Sequence, residues 1–214
     1  MRRSLKLYEY HRANAAIRIK IVLLLKGIPF ERESVNVEGS SNESTTLKRL
    51  NPQGMVPILV DETLSIVQSY AIAEYLEERF PLPSLLPRDP SDRSRVRSLA
   101  LMVACDGQPL VNLRVRNYLT EKCGFTERAM ESWVRHWMRL SLAEYEAAVA
   151  LNPFTGVFSH GNEPSLADTF LFPHVLLAER FGILKADFPN VNRIFTNCAR
   201  LHPFAKAAAE YVAA

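Results

Sequence analysis

The sequence predicts a small mixed α/β domain followed by an all-helical domain. Three observations carry that expectation. Up to Phe80, short strand-like runs alternate with helical ones. Residues 81–90, PLPSLLPRDP, hold four of the thirteen prolines, and no regular helix runs through them. Beyond them the apolar pattern is helical throughout. The expected division is a domain over 1–82, a linker over 83–90 and a helical domain over 91–214.

In chain order, LKLYEY reads as a strand, and NAAIRIKIVLLLK as a largely buried helix that stops at Gly27, a natural C-cap. FERESVNV alternates as a second strand, and residues 43–50 form a short polar helix. PILV and TLSIV are split by Asp61-Glu62, the signature of a tight hairpin. SYAIAEYLEERF carries Ala71, Ile72, Tyr75 and Leu76 on one helical face. The order βαβαββα describes a small mixed sheet flanked by helices. In the second half, Val96, Leu99, Ala100, Val103 and Leu110 share a stripe, as do Trp133, Val134, Trp137 and Leu140. Trp133, Trp137 and Cys105 are expected in the core. Ser165-Leu166-Ala167-Asp168 is a capping-box pattern ahead of an apolar run.

Bulk properties exclude several function classes. A hydrophobic content of 48% and a charged content of 23% belong to a globular protein with a real core. A net charge of +3, evenly spread, gives no footprint for nucleic acid. The densest basic run, Arg88–Arg97, is interleaved with Asp89 and Asp92 and reads as a solvated helix start. No run approaches the roughly 20 apolar residues of a membrane helix, and no secretory signal is visible. Three widely separated cysteines without a CxxC, and scattered histidines, fit a reducing cytoplasm and no metal site.

The turn His11-Arg12-Ala13-Asn14 aims the first free N–H groups of a helix at whatever lies above it, an arrangement that attracts anions. It contains no serine, cysteine or tyrosine. Met55-Val56-Pro57 is either a cis-proline turn that presents the Val56 backbone to a peptide ligand, or a trans proline opening an edge strand. Ser69 stands where a strand meets a helix and reads at least as an N-cap. In CDGQPLVNLRVR, Gly107 and Pro109 interrupt a helix and re-aim Gln108 and Asn112. Arg180 on its own reads as a surface ion pair with Glu179 or a neighbour.

The motifs LNPQGMVP, QSYAIAEYLEE, GQPLVNL and GNEPSLADTFLFPHVLLAERF, in this order over nearly the whole chain, resemble the cytosolic glutathione transferases. The likeness is strongest to the zeta class, the maleylacetoacetate and maleylpyruvate isomerases. The resemblance implies a thioredoxin-like N-terminal domain, a helical C-terminal domain and a homodimer. It implies that Ala13, Asn14, Arg18, Asn42, Val56, Gln68, Ser69, Gln108 and Asn112 bind glutathione. Arg114 and Arg180 would meet a small acidic substrate. Arg114 falls where the family often carries a small polar residue, and Asn42 where it often carries glutamine.

The first helix departs from the family pattern R-S-S-C-x-W-R-V-R-I. Arg12, Arg18 and Ile21 agree, but Ala13, Asn14 and Ala15 replace both serines and the cysteine. A thiol with pKa near 8.5 is only about 3% thiolate at pH 7. Lowering that value by about 2 units takes roughly 2.7 kcal/mol of preferential stabilisation. A hydrogen bond to a charged group supplies roughly 1.5–3 kcal/mol and a helix N-terminus ~0.3–1. Arg12 and Asn14 are therefore the expected catalytic pair. The implied activity is glutathione-dependent cis–trans isomerisation of an acidic substrate, or glutathione conjugation. The alternative is a glutathione-fold protein that binds ligands or partners without turnover.

Overall fold

The computed structural model describes residues 5–35, 43–183 and 185–212. The chain forms two compact units: residues up to Leu85 together with the closing segment from His202, and residues Leu86–Leu201. Compactness thus groups the last helix with the first unit, whereas chain order had suggested the helical domain.

The first unit is built on a four-stranded sheet in the order β2-β1-β3-β4. Its strands are β1 (Leu5–Glu9), β2 (Phe30–Ser34), β3 (Ile58–Asp61) and β4 (Leu64–Val67). β1 runs parallel to β2 and antiparallel to β3, and β3 pairs antiparallel with β4. The parallel pair requires a crossover, supplied by α1 (Asn14–Leu25). The antiparallel pair needs only the tight turn at Glu62, whose φ is 56°. A short α2 (Glu43–Leu50) precedes β3, and α3 (Ser69–Arg79) follows β4. Leu5 and Leu7 of β1, Ile58 and Leu59 of β3, Ile17 and Ile21 of α1, and Ile72 and Leu76 of α3 are all buried.

α1 is apolar on nearly every side, so it is buried all round, and its basic residues need internal partners. Lys20 Nζ lies 2.9 Å from Glu9 Oε2 and 2.7 Å from Glu210 Oε2. Arg32 of β2 bridges the same two carboxylates. Glu210 belongs to α9 (His202–Val212), so this four-charge cluster fastens the closing helix to α1 and β2. At the other end, Lys26 Nζ meets Glu77 Oε2 at 2.6 Å and donates to the carbonyls of Phe80 and Pro83. Glu77 in turn accepts from Ser84 Oγ and the Leu85 N–H.

The second unit begins with α4 (Pro90–Leu101), capped by Asp89, whose carboxylate accepts from the N–H groups of Ser91 and Asp92. This is the solvated helix start expected of the basic run. The predicted kink is a full break. The chain passes through a π turn at Met102–Gly107 and a 3-10 turn at Pro109–Val111, then restarts as α5 (Leu113–Glu121). Pro109 has no N–H to continue the ladder. Gly107 packs so closely on α6 (Glu127–Ala150) that a Cβ there would sit 2.2 Å from Ser141 Oγ.

The buried stripe of α6 is Val134, Met138, Ser141, Leu142, Tyr145 and Val149. Trp133 and Trp137 are half-buried and Leu140 is exposed, which corrects the expected stripe by about one residue of helical phase. Trp133 Nε1 donates to the Leu110 carbonyl, and its ring meets Trp137 edge-on. Cys105, expected in the core, is exposed because the π turn rotates it outward. α7 (Leu166–Arg180) starts at the predicted capping box, and α8 (Pro189–Ala199) completes the unit. Among the described residues, no helix is long and apolar enough to cross a membrane.

Candidate functional site

Sheet register gathers three chain junctions at one end of the first unit. Tyr8 lies opposite Ile58, and Ile58 opposite Val67. The end of β1, the approach to β3 and the end of β4 are therefore neighbours. These segments lead into Asn14, out of Val56-Pro57 and into Gln68-Ser69.

At the first junction α1 starts without a side-chain cap. Ala13 holds the N-cap position, and its methyl offers no acceptor. Ala16 and Ile17 bond back to the Ala13 carbonyl, leaving the N–H groups of Asn14 and Ala15 without an acceptor among the described residues. Asn14 is 3% exposed, and neither Nδ2 nor Oδ1 has a hydrogen-bond partner among the described residues. A buried polar group left in that state costs roughly 1–3 kcal/mol, so Asn14 contributes nothing to the empty fold that an apolar residue would not. One turn along the same helix, Arg18 is 2% exposed and donates from Nη1 to Ser69 Oγ across 3.2 Å.

At the second junction the Val56–Pro57 peptide is cis. Among the described residues, the Val56 N–H and C=O take part in no backbone hydrogen bond. The loop is held by Asn51, whose Nδ2 donates to the Met55 carbonyl at 2.7 Å and whose Oδ1 accepts from the Gln53 N–H at 3.0 Å. Asn51 was not singled out from sequence, although the Asn-Pro-Gln-Gly string marks such a self-bonded turn.

At the third junction Ser69 is the first residue of α3 rather than its N-cap, which corrects the sequence reading. Gln68 occupies the cap with φ 70° and no side-chain cap bond. A non-glycine residue held in that region stores roughly 1–3 kcal/mol of strain, the kind found where a backbone must present itself to a ligand. Gln68 Nε2 donates to Gln53 Oε1 at 2.6 Å, tying the third junction to the second. Among the described residues, the site thus offers unpaired backbone N–H groups, an unpaired amide, a buried guanidinium and a backbone segment at Val56 free of backbone hydrogen bonds. It suits an extended peptide-like ligand with an anionic end and an acidic group near α1.

The remaining candidates are placed as follows. Arg12 is exposed and Ala13 half-buried, at the start of α1. Asn42 lies outside the described residues. In the second unit, Gln108 and Asn112 flank the 3-10 turn, and Asn112 is committed in part, since its Oδ1 caps α5 by accepting from the Val115 N–H at 3.1 Å. Arg114 and Arg180 are exposed, on α5 and at the end of α7. Two further arginines, missed from sequence, converge on the end of α7. Arg116 lies over the Phe181 ring, and Arg135 donates to the Phe181 carbonyl. Cations are favoured at a helix C-terminus, and the local sequence gave no sign that α5 and α6 would supply them.

A cavity of about 340 Å³ in the second unit, lined by Asp106, Pro109, Leu110, Trp137 and Glu144 among others, contains none of the candidate residues. Its two carboxylates, with no lysine or arginine in the lining, make it a poor home for an acidic molecule. Burial pushes the Cys198 thiol far above its ordinary range and rules it out as a nucleophile.

Comparison with known proteins agrees with this geometry. A family model of the glutathione S-transferase N-terminal domain matches residues 7–84. The chain is 38% identical to a maleylpyruvate isomerase of Ralstonia sp, over 95% of this chain and 96% of that one. It is 39% identical to the maleylacetoacetate isomerase of Pseudomonas aeruginosa, over 93% and 92% of the two chains. Among solved structures, the holo form of a bacterial zeta-class maleylpyruvate isomerase superposes with a TM-score of 0.90 at 38% identity, covering 94% of this chain and 95% of that one. A maleylacetoacetate isomerase from Methylobacterium extorquens AM1, solved with bound malonate and glutathione, gives a TM-score of 0.91 at 36% identity, covering 95% of each chain. The chain belongs to the glutathione S-transferase family, in its zeta-class branch of maleylacetoacetate and maleylpyruvate isomerases.

Proposed function

We propose that this protein is a glutathione-dependent cis–trans isomerase of small acidic maleyl-type substrates, with glutathione conjugation as a secondary capacity of the same site. The observation that carries the reading is the buried, unpartnered Asn14 amide on the opening turn of α1, one turn from Arg18. When bound, glutathione supplies a nucleophilic thiolate whose reversible addition turns a cis double bond into a rotatable single bond.

The residues of the chain fit that cofactor. Val56 offers its backbone N–H and C=O to the peptide portion of the tripeptide. Gln68 and Ser69, with the opening N–H groups of α3, receive its γ-glutamyl carboxylate. Asn14 Nδ2 donates at the thiol position. With the N–H groups of Asn14 and Ala15 and the charge of Arg12, it replaces the hydroxyl that Ala13 lacks. One donor to an anion at roughly 1.5–3 kcal/mol and the helix terminus at ~0.3–1 reach the roughly 2.7 kcal/mol needed. Gln108 and Asn112 are assigned to the same ligand by family likeness. The exposed guanidinium groups of Arg114 and Arg180 suit a dianionic substrate.

The decisive assay follows maleylpyruvate or maleylacetoacetate conversion by the purified protein, with and without glutathione. Turnover that requires glutathione is expected. Glutathione binding with no turnover of either compound would instead support a ligand-binding protein, the reading that the absent hydroxyl favours. We further take the chain to act in the cytoplasm as a homodimer, on the strength of its family. Light scattering at micromolar concentration should give twice the 24.2 kDa chain mass, and a monomer mass would contradict this.

A further inference from the structure

Arg18 and Ser69 belong to different helices and meet through a single contact, 3.2 Å from Nη1 to Oγ. A guanidinium has donors only, so in this contact the serine oxygen must accept. A hydroxyl has one proton, and that proton is thereby turned away from Arg18. Among the described residues no acceptor takes it, although Ser69 is only 7% exposed. It lies at the start of α3, beside N–H groups that have no intrahelical acceptor. The serine proton and these N–H groups are all donors. A buried positive charge behind the oxygen also makes the hydroxyl a stronger donor.

We infer that Arg18 is a positioning residue that fixes the Ser69 hydroxyl as a donor toward a ligand carboxylate at the α3 N-terminus, without touching that ligand. The inference rests on the proposed reading that glutathione occupies this site, with its γ-glutamyl carboxylate at α3. A serine free to rotate would spend part of its time with its lone pairs toward the anion. By occupying one lone pair, Arg18 excludes the rotamer that points the proton at the guanidinium, and no acceptor among the described residues draws it elsewhere. A methionine at this place would fill similar volume without directing the proton.

The test is a double-mutant cycle read by calorimetry with two ligands: glutathione, and the analogue in which 4-aminobutanoate replaces the γ-glutamyl residue and so removes its α-carboxylate. Ser69→Ala and Arg18→Met should each weaken glutathione by about 10-fold, the loss of one charge-assisted hydrogen bond. Because they act through one donor, the double variant should be no more than about 2-fold weaker than the worse single variant. The analogue should bind wild type and variants alike. In steady-state assays, the KM for glutathione should rise while kcat at saturation stays within about 2-fold. Arg18→Lys, which keeps a buried donor and the charge, should recover most of the affinity, and Arg18→Leu stands in for Arg18→Met if that variant fails to fold. Losses that multiply toward 100-fold, or an analogue weakened as much as glutathione, would overturn the positioning role alone. Wild-type protein that binds no glutathione would overturn both this inference and the proposed function.

Discussion

Asp168 and Asn14 are both buried polar residues in the first turn of a helix, and they differ in one respect. Asp168, in the first turn of α7, is 0% exposed and fully engaged: it accepts from the N–H groups of Ser159 and Ser165 and from Ser165 Oγ. Ser159 also pairs with the Tyr145 hydroxyl at 2.8 Å. Asn14, in the first turn of α1, is nearly as buried and has no partner among the described residues. The first is a finished network whose donors and acceptors all belong to the chain. The second is half a network, and in the proposed function its missing half is the ligand. Completeness, rather than burial or polarity, separates the fold-supporting site from the candidate ligand site.

The largest expected effect breaks the finished network. Asp168→Ala leaves several donors buried without an acceptor and removes the N3 half of the α7 capping box, so it should cost about 3–5 kcal/mol. Thermal unfolding should drop by roughly 10 °C or more. A drop below about 3 °C would mean that water or a neighbour already serves those donors.

Asn14→Ala is the matched change in the unfinished network, and its sign should differ. Removing an amide that has no partner should change stability by less than about 1 kcal/mol, or raise it, because the desolvation penalty goes with it. Chemical denaturation of the ligand-free protein checks this. A loss comparable to that of Asp168→Ala would show that Asn14 serves the fold.

A third case lies between the two. Burial alone would push the Glu210 carboxyl up, but Lys20 and Arg32 more than offset this and hold it below its ordinary value of 4.5. A carboxylate with a depressed folded-state pKa contributes stability above its unfolded value, and that contribution is lost as pH falls through the folded one. The network that fastens α9 should therefore weaken in acid, below about pH 4.5. Glu210→Gln should be less stable than wild type at pH 6, with the gap narrowing as pH falls below about 4.5. A gap that is constant with pH would mean that the cluster contributes no net electrostatic stability.

The smallest effect comes from finishing part of the α1 site. Ala13→Ser supplies the missing N-cap and should add about 0.5–1 kcal/mol to the ligand-free protein. No gain would mean that the leading N–H groups of α1 are already well solvated.

Much of this architecture was legible in the sequence because it is local. The capping box at Ser165–Asp168, the Asp61-Glu62 hairpin and the breaker prolines each act within a few residues. The unread parts depend on distant partners. Glu210 meets Lys20 across 190 residues of chain, so the closing helix could not be assigned to the first unit from its own amphipathic pattern. On α6, the stripe through Trp133 and Trp137 and the stripe through Val134 and Met138 are adjacent, and the elements packed on α6, Gly107 against Ser141 among them, decide which one is buried. Around the candidate site, Arg12, Asn14, Val56, Gln68 and Ser69 were singled out by motif. The strain at Gln68, the donor role of Arg18 and the self-bonded loop at Asn51 needed coordinates, because each is a relation between side chains and not a property of one.

The central claim, that the unfinished α1 site is completed by a thiolate, is tested most directly by titrating the thiolate absorbance of glutathione bound to wild type and to Asn14→Ala. Binding to wild type should lower the thiol pKa by about 2 units, and the substitution should return more than half of that shift. A bound pKa equal to that of free glutathione and unmoved by the substitution would contradict the claim, leaving Asn14 a buried amide with no chemistry to perform.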